Sequence, residues 1–171
     1  LEGVKPDMIV HAAAYTNTSL PEKSAKAAVE CYGANVIGTR NVVRAAKCPI
    51  LFISTESALE PHNFYVLTKL RAEMEVKRHY SYKIVRTSFR CDPFEYDRAC
   101  TDMLTIADTV KNIAPLINES VGLPCKNDTV YVGTGVKTVY DLARRTRPGV
   151  TPVTRSEIGF NLPAMESLLA I

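Results

Sequence analysis

Three features of this 171-residue chain predict an α/β fold in which a parallel sheet is flanked by helices. Short apolar runs rich in β-branched residues recur, such as Pro49-Ile50-Leu51-Phe52-Ile53 and Lys83-Ile84-Val85, in the manner of parallel strands buried on both faces. Longer segments of helical composition separate them, and strands alternating with helices imply right-handed crossovers and a parallel sheet. Finally, the hydroxyl residues Ser54 and Thr55 close one apolar run, at the C-terminal strand end where open α/β sheets hold their chemistry.

In chain order, residues 1–7 read as the end of a helix feeding a strand, and Met8-Ile9-Val10 is the first buried strand. It closes on His11-Ala12-Ala13-Ala14, where small side chains suit either a ligand lying on the backbone or a closely packed helix. Residues 20–31 read as a helix, with Ser19 as its cap, Pro21 in its first turn and Glu22 adding a favourable charge there. A second helix is expected over 34–47, with Val36, Ile37, Val42 and Val43 on its apolar side. The strand at 49–53 precedes a helix over 65–79 that carries Leu67, Leu70, Met74 and Val76 among charged residues. Residues 83–88 form the next strand, and 89–101, with Pro93 and several charges, an irregular surface crossing. A helix over 106–120 and a strand over 128–132 follow. Gly133-Thr134-Gly135 reads as a tight turn into a helix over 136–145, because it has neither the Lys-Ser/Thr of a phosphate loop nor the third glycine of a dinucleotide fingerprint. Pro148, Pro152 and Pro163 keep the elements of the tail short.

The length suffices for one domain with a real core. The net charge is only +3, with Lys and Arg interspersed among Asp and Glu, so the basic stripe of a nucleic-acid binder is missing. No apolar run approaches the roughly 20 residues of a membrane span, and no signal peptide is visible. Cys31, Cys48, Cys91, Cys100 and Cys125 are odd in number, scattered, and free of any Cys-x-x-Cys pair. That pattern suggests neither a zinc site nor a disulfide framework, and fits a reduced, cytoplasmic setting.

Ten residues beyond Thr55 comes Tyr65-x-x-x-Lys69. Four-residue spacing on a helix puts the phenol and the ammonium on one face. An ammonium near a phenol favours the phenolate, so the Tyr65 pKa is expected to fall from about 10, making Tyr65 a candidate general acid or base. Spacing alone is a common accident on exposed helices; its position after a buried strand ending in Thr55 makes it specific.

Six segments in order, KPDMIVHAAAYTNT (5–18), ANVIGTRNV (34–42), PILFISTES (49–57), NFYVLTKLRAE (63–73), IVRTSFR (84–90) and VYVGTGVKTVYDLARR (130–145), resemble the extended short-chain dehydrogenase/reductase superfamily. Within it, the likeness is to the dTDP-4-dehydrorhamnose reductase-like, sugar-nucleotide-binding group. The resemblance implies a Rossmann-like sheet, N-terminally truncated, with a partial dinucleotide-binding domain over 1–88. Residues 89–171 would contribute the substrate side and the remaining strands and helices. It implies that Thr55 holds the substrate carbonyl, that Tyr65 is the proton donor, and that Lys69 binds the nicotinamide ribose and lowers the Tyr65 pKa. Asn35 matches the helix Asn that orders a proton-relay water, although it reads equally as an ordinary helix-interior residue. Ala12, Ala13, Ala14 and Ser54 fall on the cofactor side with Tyr65 and Lys69. Arg86 precedes the substrate region and reads at least as well as half of a structural ion pair, and His11 as a satisfied strand-end histidine. The implied reaction is reduction of a 4-keto nucleotide sugar by NADPH or NADH, in a homodimer.

The chain departs from that pattern twice. The glycine-rich strand-turn-helix that opens the family is not in the sequence, which begins at Leu1, as expected of a piece of something longer. Without it, dinucleotide affinity should fall and an apolar sheet edge should be exposed. The segment between Thr55 and Tyr65 is also short, with Ser57 near the place of a lid aromatic, so a reduced lid is expected. Two alternatives therefore stand beside the reductase: a catalytically inactive binding or scaffold module, and an epimerase or dehydratase of the same superfamily.

Overall fold

The computed structural model describes residues 5–159 and 162–171, so of the helix end expected over 1–7 the first four residues lie outside the described residues, and 5–7 are not helical. Four strands, β1 (Ile9–His11), β2 (Ile50–Thr55), β3 (Tyr82–Thr87) and β6 (Asp128–Tyr131), form one all-parallel sheet in the order β1-β2-β3-β6. Two small pairings lie outside it. The strands β4 (Arg98–Cys100) and β8 (Thr151–Val153) run parallel, and β5 (Leu104–Thr105) pairs antiparallel with β7 (Lys137–Thr138). The crossing expected to be irregular over 89–101 thus ends in a strand, and Pro152 sits inside one.

Helices cover both faces of the main sheet because the strand residues alternate. Ile50, Phe52 and Ile84 pack against Ala72 and Val76 of α3 (Phe64–Val76) and Val43 of α2 (Thr39–Ala45). Leu51, Ile53 and Val85 pack on the other face against Leu116, Ile117 and Val121 of α4 (Val110–Val121). Ile50, Leu51, Phe52 and Ile84 are fully buried, each contributing roughly 1.5–3 kcal/mol of hydrophobic stabilisation. Among the described residues β1 pairs on one side only, and Val10 is half exposed there.

The two helices expected over 20–31 and 34–47 are one continuous run. A 3-10 turn (Leu20–Glu22) leads in, and α1 (Ala25–Tyr32) passes into α2 through a π-helical segment, Gly33–Gly38. Gly33 keeps right-handed helical angles (φ −56, ψ −50) and does not break the chain. The cap of α1 is Ser24, whose hydroxyl accepts from Ala27 N at 3.3 Å. The expected cap, Ser19, has no such bond, because Asn17 Oδ1 accepts from both Ser19 N and Leu20 N. The later helices start after their expected boundaries: α4 at Val110 and α5 (Val139–Thr146) at Val139, where the Thr138 hydroxyl accepts from Asp141 N. The turn before β7 needs its first glycine, since a Cβ on Gly133 would lie 2.3 Å from Ile106 O. Gly135 adopts φ +88, a conformation open to glycine.

Candidate active site

The C-terminal end of β2 delivers Ser54 and Thr55 to the top of the sheet, and α3 returns with Tyr65 and Lys69. The start of α3 is held twice: Asn63 Oδ1 accepts from Val66 N at 2.9 Å, and Glu22 Oε1 accepts from Phe64 N. Glu22, expected to stabilise its own helix, instead fixes the first turn of the helix that carries Tyr65. Favourable charge at a helix N-terminus is the shared physical reason.

Lys69 is buried, and its ammonium donates to Ile53 O at 2.8 Å while lying 4.2 Å from the Phe52 ring centroid. Burial lowers its pKa from 10.5 to about 8, against the opposing pull of the Glu73 carboxylate. Tyr65 departs from the sequence expectation. Its pKa is pushed up from 10.0 to about 12, chiefly by burial, with Cys31 adding to the effect. The ammonium that was to lower it is anchored on the β2 carbonyl, so desolvation of the phenolate wins.

Thr55 Oγ1 accepts from Ser57 N at 3.2 Å and so keeps its own proton for donation. Ser54 points to the opposite face, where its hydroxyl donates to Glu73 Oε1 at 2.6 Å; any contact it makes with a cofactor falls to its backbone. Glu73, 2% exposed, also receives Arg86 Nε at 3.0 Å and Nη2 at 2.8 Å, and Arg86 Nη1 donates to Tyr131 Oη at 2.7 Å. Arg86 is therefore the structural ion-pair partner of Glu73. Burial pulls its pKa down, and the Glu73 and Tyr131 contacts outweigh it to give a net rise.

Asn35 is buried in the π segment, with its side chain taken up by protein. Its Oδ1 accepts from Tyr15 N at 2.7 Å, and its Nδ2 donates to Thr68 Oγ1 at 2.9 Å. Thr68 in turn donates to Tyr65 O at 2.7 Å. This path ties the loop after β1 to the helix of Tyr65. On the same segment, Thr39 Oγ1 donates to Asn35 O at 2.6 Å and so must accept from His11 Nε2, 2.9 Å away. The proton of neutral His11 is thereby set on Nε2, and burial together with the Lys69 charge lowers its pKa. Ala12 and Ala13 are exposed at the end of β1, open to a ligand approaching along the backbone.

Sequence reasoning missed two carboxylates in the short segment between Thr55 and Tyr65. Buried Glu56 accepts from Thr105 Oγ1 at 2.6 Å and from Ile106 N at 2.8 Å. Glu60 accepts from Met165 N at 3.0 Å and from Ser167 Oγ at 2.9 Å. This loop, a 3-10 turn over Glu56–Leu59, fastens the C-terminal half of the chain to the site. An acid directly after a strand buried on both faces is the signal that points to such a partner, since a buried carboxylate demands donors.

Residues 1–92 match the family described as polysaccharide biosynthesis protein. Among solved structures, dTDP-4-dehydrorhamnose reductase from Bacillus anthracis strain Ames, in complex with NADP, is 25% identical with a TM-score of 0.70, over 88% of this chain and 67% of that one. A dTDP-4-dehydrorhamnose reductase from Clostridium acetobutylicum is 21% identical with a TM-score of 0.75, over 93% of this chain and 70% of that one. RMD from Pseudomonas aeruginosa, complexed with NADPH, is 14% identical with a TM-score of 0.61, over 95% of this chain and 79% of that one. The last two likenesses concern the fold alone. No curated protein matches the chain. Among the described residues no helix is long and apolar enough to cross a membrane.

Proposed function

The chain belongs to the polysaccharide biosynthesis protein family, within the extended short-chain dehydrogenase/reductases, and from that premise we propose that it serves NAD(P)H-dependent reduction of a 4-keto nucleotide sugar. The observation that carries this reading is that Thr55 at the end of β2 keeps its proton free while Tyr65 and Lys69 share one face of α3, the Lys69 ammonium resting on the carbonyl next to Ser54.

The residues present fit the nicotinamide end of a dinucleotide. Exposed Ala12 and Ala13 leave the strand end open, while α3 carries a half-buried Tyr65 and a buried Lys69. When bound, the dinucleotide supplies the hydride. Thr55 donates its free proton to the substrate carbonyl and fixes it in place. Tyr65, kept protonated by burial, delivers a proton to that oxygen as the carbonyl is reduced, a contribution typically worth about 10²- to 10⁴-fold in rate. Lys69 would hold the nicotinamide ribose, and its positive charge would offset the phenolate left on Tyr65. Residues 89–171 form the substrate side, joined to the site through Glu56 and Glu60. Exposed Val29 and Tyr32 on α1 and Leu67 and Met74 on α3 offer an apolar surface for a second copy of the chain.

A catalytically silent binding module is the second reading. It is favoured by the Lys69 bond to Ile53 O and by a Tyr65 phenol held above its ordinary pKa. Following NADPH oxidation by the full-length protein with a 4-keto-6-deoxy nucleotide sugar separates the two. Turnover that collapses in Tyr65→Phe supports the reductase. Absence of turnover, or turnover indifferent to Tyr65→Phe, rejects it, and a product formed without cofactor consumption points to an epimerase or dehydratase.

A further inference from the structure

Thr87 ends β3 at 2% exposure, and its Oγ1 has no hydrogen-bond partner among the described residues. Burying a hydroxyl without a partner is costly, so the position calls for an explanation. Asp128 Oδ1 shares this condition, but it lies at the start of β6, the opposite end of the parallel sheet. Thr87 lies at the end where Thr55 sits, and the register pairs the two residues directly across neighbouring strands.

Alternation fixes where both side chains point. Lys83 donates to Ser120 O and Leu123 O at the end of α4, and Val85 packs on the same face, so Thr87 belongs to that face too. Leu51 and Ile53 also pack there, and Thr55 continues their row. Adjacent strands lie about 4.8 Å apart, close enough for two hydroxyls on one face to converge on a single ligand. Thr55 accepts from Ser57 N and the enclosed Thr87 Oγ1 has no partner among the described residues, so neither proton is committed within the protein.

We propose that Thr87 is a second hydroxyl donor of this site and gives its hydrogen bond to a carbonyl oxygen carried by the ligand. Two groups present that chemistry, the ketone of the sugar and the carboxamide of the nicotinamide. The assignment rests on the dinucleotide-dependent carbonyl reduction proposed above.

Thr87→Val keeps the shape and removes the donor. In the full-length protein, the variant should resist urea at least as well as wild type, because no protein contact is lost. At the same time it should lose about tenfold in one ligand readout, the size of one neutral hydrogen bond. A loss in NADPH affinity, read by nucleotide fluorescence without sugar, assigns the carboxamide. A loss in kcat/KM for the keto sugar at saturating NADPH, with affinity unchanged, assigns the ketone. Thr87→Ser should restore whichever is lost. An active wild type beside an equally active, equally tight-binding Thr87→Val overturns the role of Thr87 alone, as does a Thr87→Val that unfolds markedly more easily. A wild type that neither binds NADPH nor reduces the sugar overturns this assignment together with the reading beneath it.

Discussion

Lys69 gives the fold a distinct pH signature. Lys69→Met retains the packing of the stem and removes the ammonium. The lysine titrates at 10.5 ordinarily and at about 8 in the fold, a gap worth roughly 3 kcal/mol at 1.36 kcal/mol per pH unit. Below pH 8 both states hold the proton, and the folded state bears the whole cost of the buried charge. Between 8 and 10.5 the unfolded chain binds more protons than the fold, so wild-type stability rises with pH. Tyr65 titrates at about 12 and stays neutral throughout that window. The difference in unfolding free energy between wild type and Lys69→Met should therefore be flat near neutrality. It should then climb in favour of wild type by up to about 1.4 kcal/mol per pH unit above pH 8. Urea unfolding of both proteins, followed by circular dichroism across this range, measures it. Parallel pH profiles would refute the placement of a desolvated ammonium at this position.

Three further perturbations test the supports of the site. Arg86→Met strands the buried Glu73 carboxylate and should cost about 3–5 kcal/mol in urea unfolding, with part recovered when Glu73→Gln is added. Glu56→Ala frees the Thr105 hydroxyl and the Ile106 amide; amide exchange at Ile106 should accelerate, with a loss of about 1–3 kcal/mol in overall stability. Gly133→Ala drives a methyl onto Ile106 O and should destabilise by roughly 1–3 kcal/mol, read as a lower thermal midpoint.

The parallel strands were legible in the sequence because each is an apolar run set by local composition, and β2, β3 and β6 lie within one or two residues of their expected positions. Helix boundaries were legible only where the cap is local. Ser19 is the expected cap of the first helix, but Asn17 takes the Ser19 and Leu20 amides and Ser24 caps α1 instead. The start of α4 at Val110 depends on Glu56, fifty residues away, holding Ile106 in a non-helical bond. Tyr65 and Lys69 were found by spacing, yet the direction of the Tyr65 pKa was not. Spacing gives proximity along a helix; burial and the Ile53 carbonyl, both tertiary, decide the electrostatics. Thr87 carried no signal at all, since an unpartnered hydroxyl is visible only once its surroundings are packed.

The π segment over Gly33–Gly38 has a consequence for phase. A π turn takes up one residue more than an α turn, so the side chains beyond it are rotated by about 100° relative to an uninterrupted helix. Upstream, Cys31 faces Thr68 on α3; downstream, Thr39 meets His11 and Arg40 meets Glu75. A uniform helix through the same axis would satisfy one set of partners and swing the other away. Removing a single residue from this segment would make a more regular helix and a mistimed one, with the β1 end and the Tyr65 helix no longer read by the same rod.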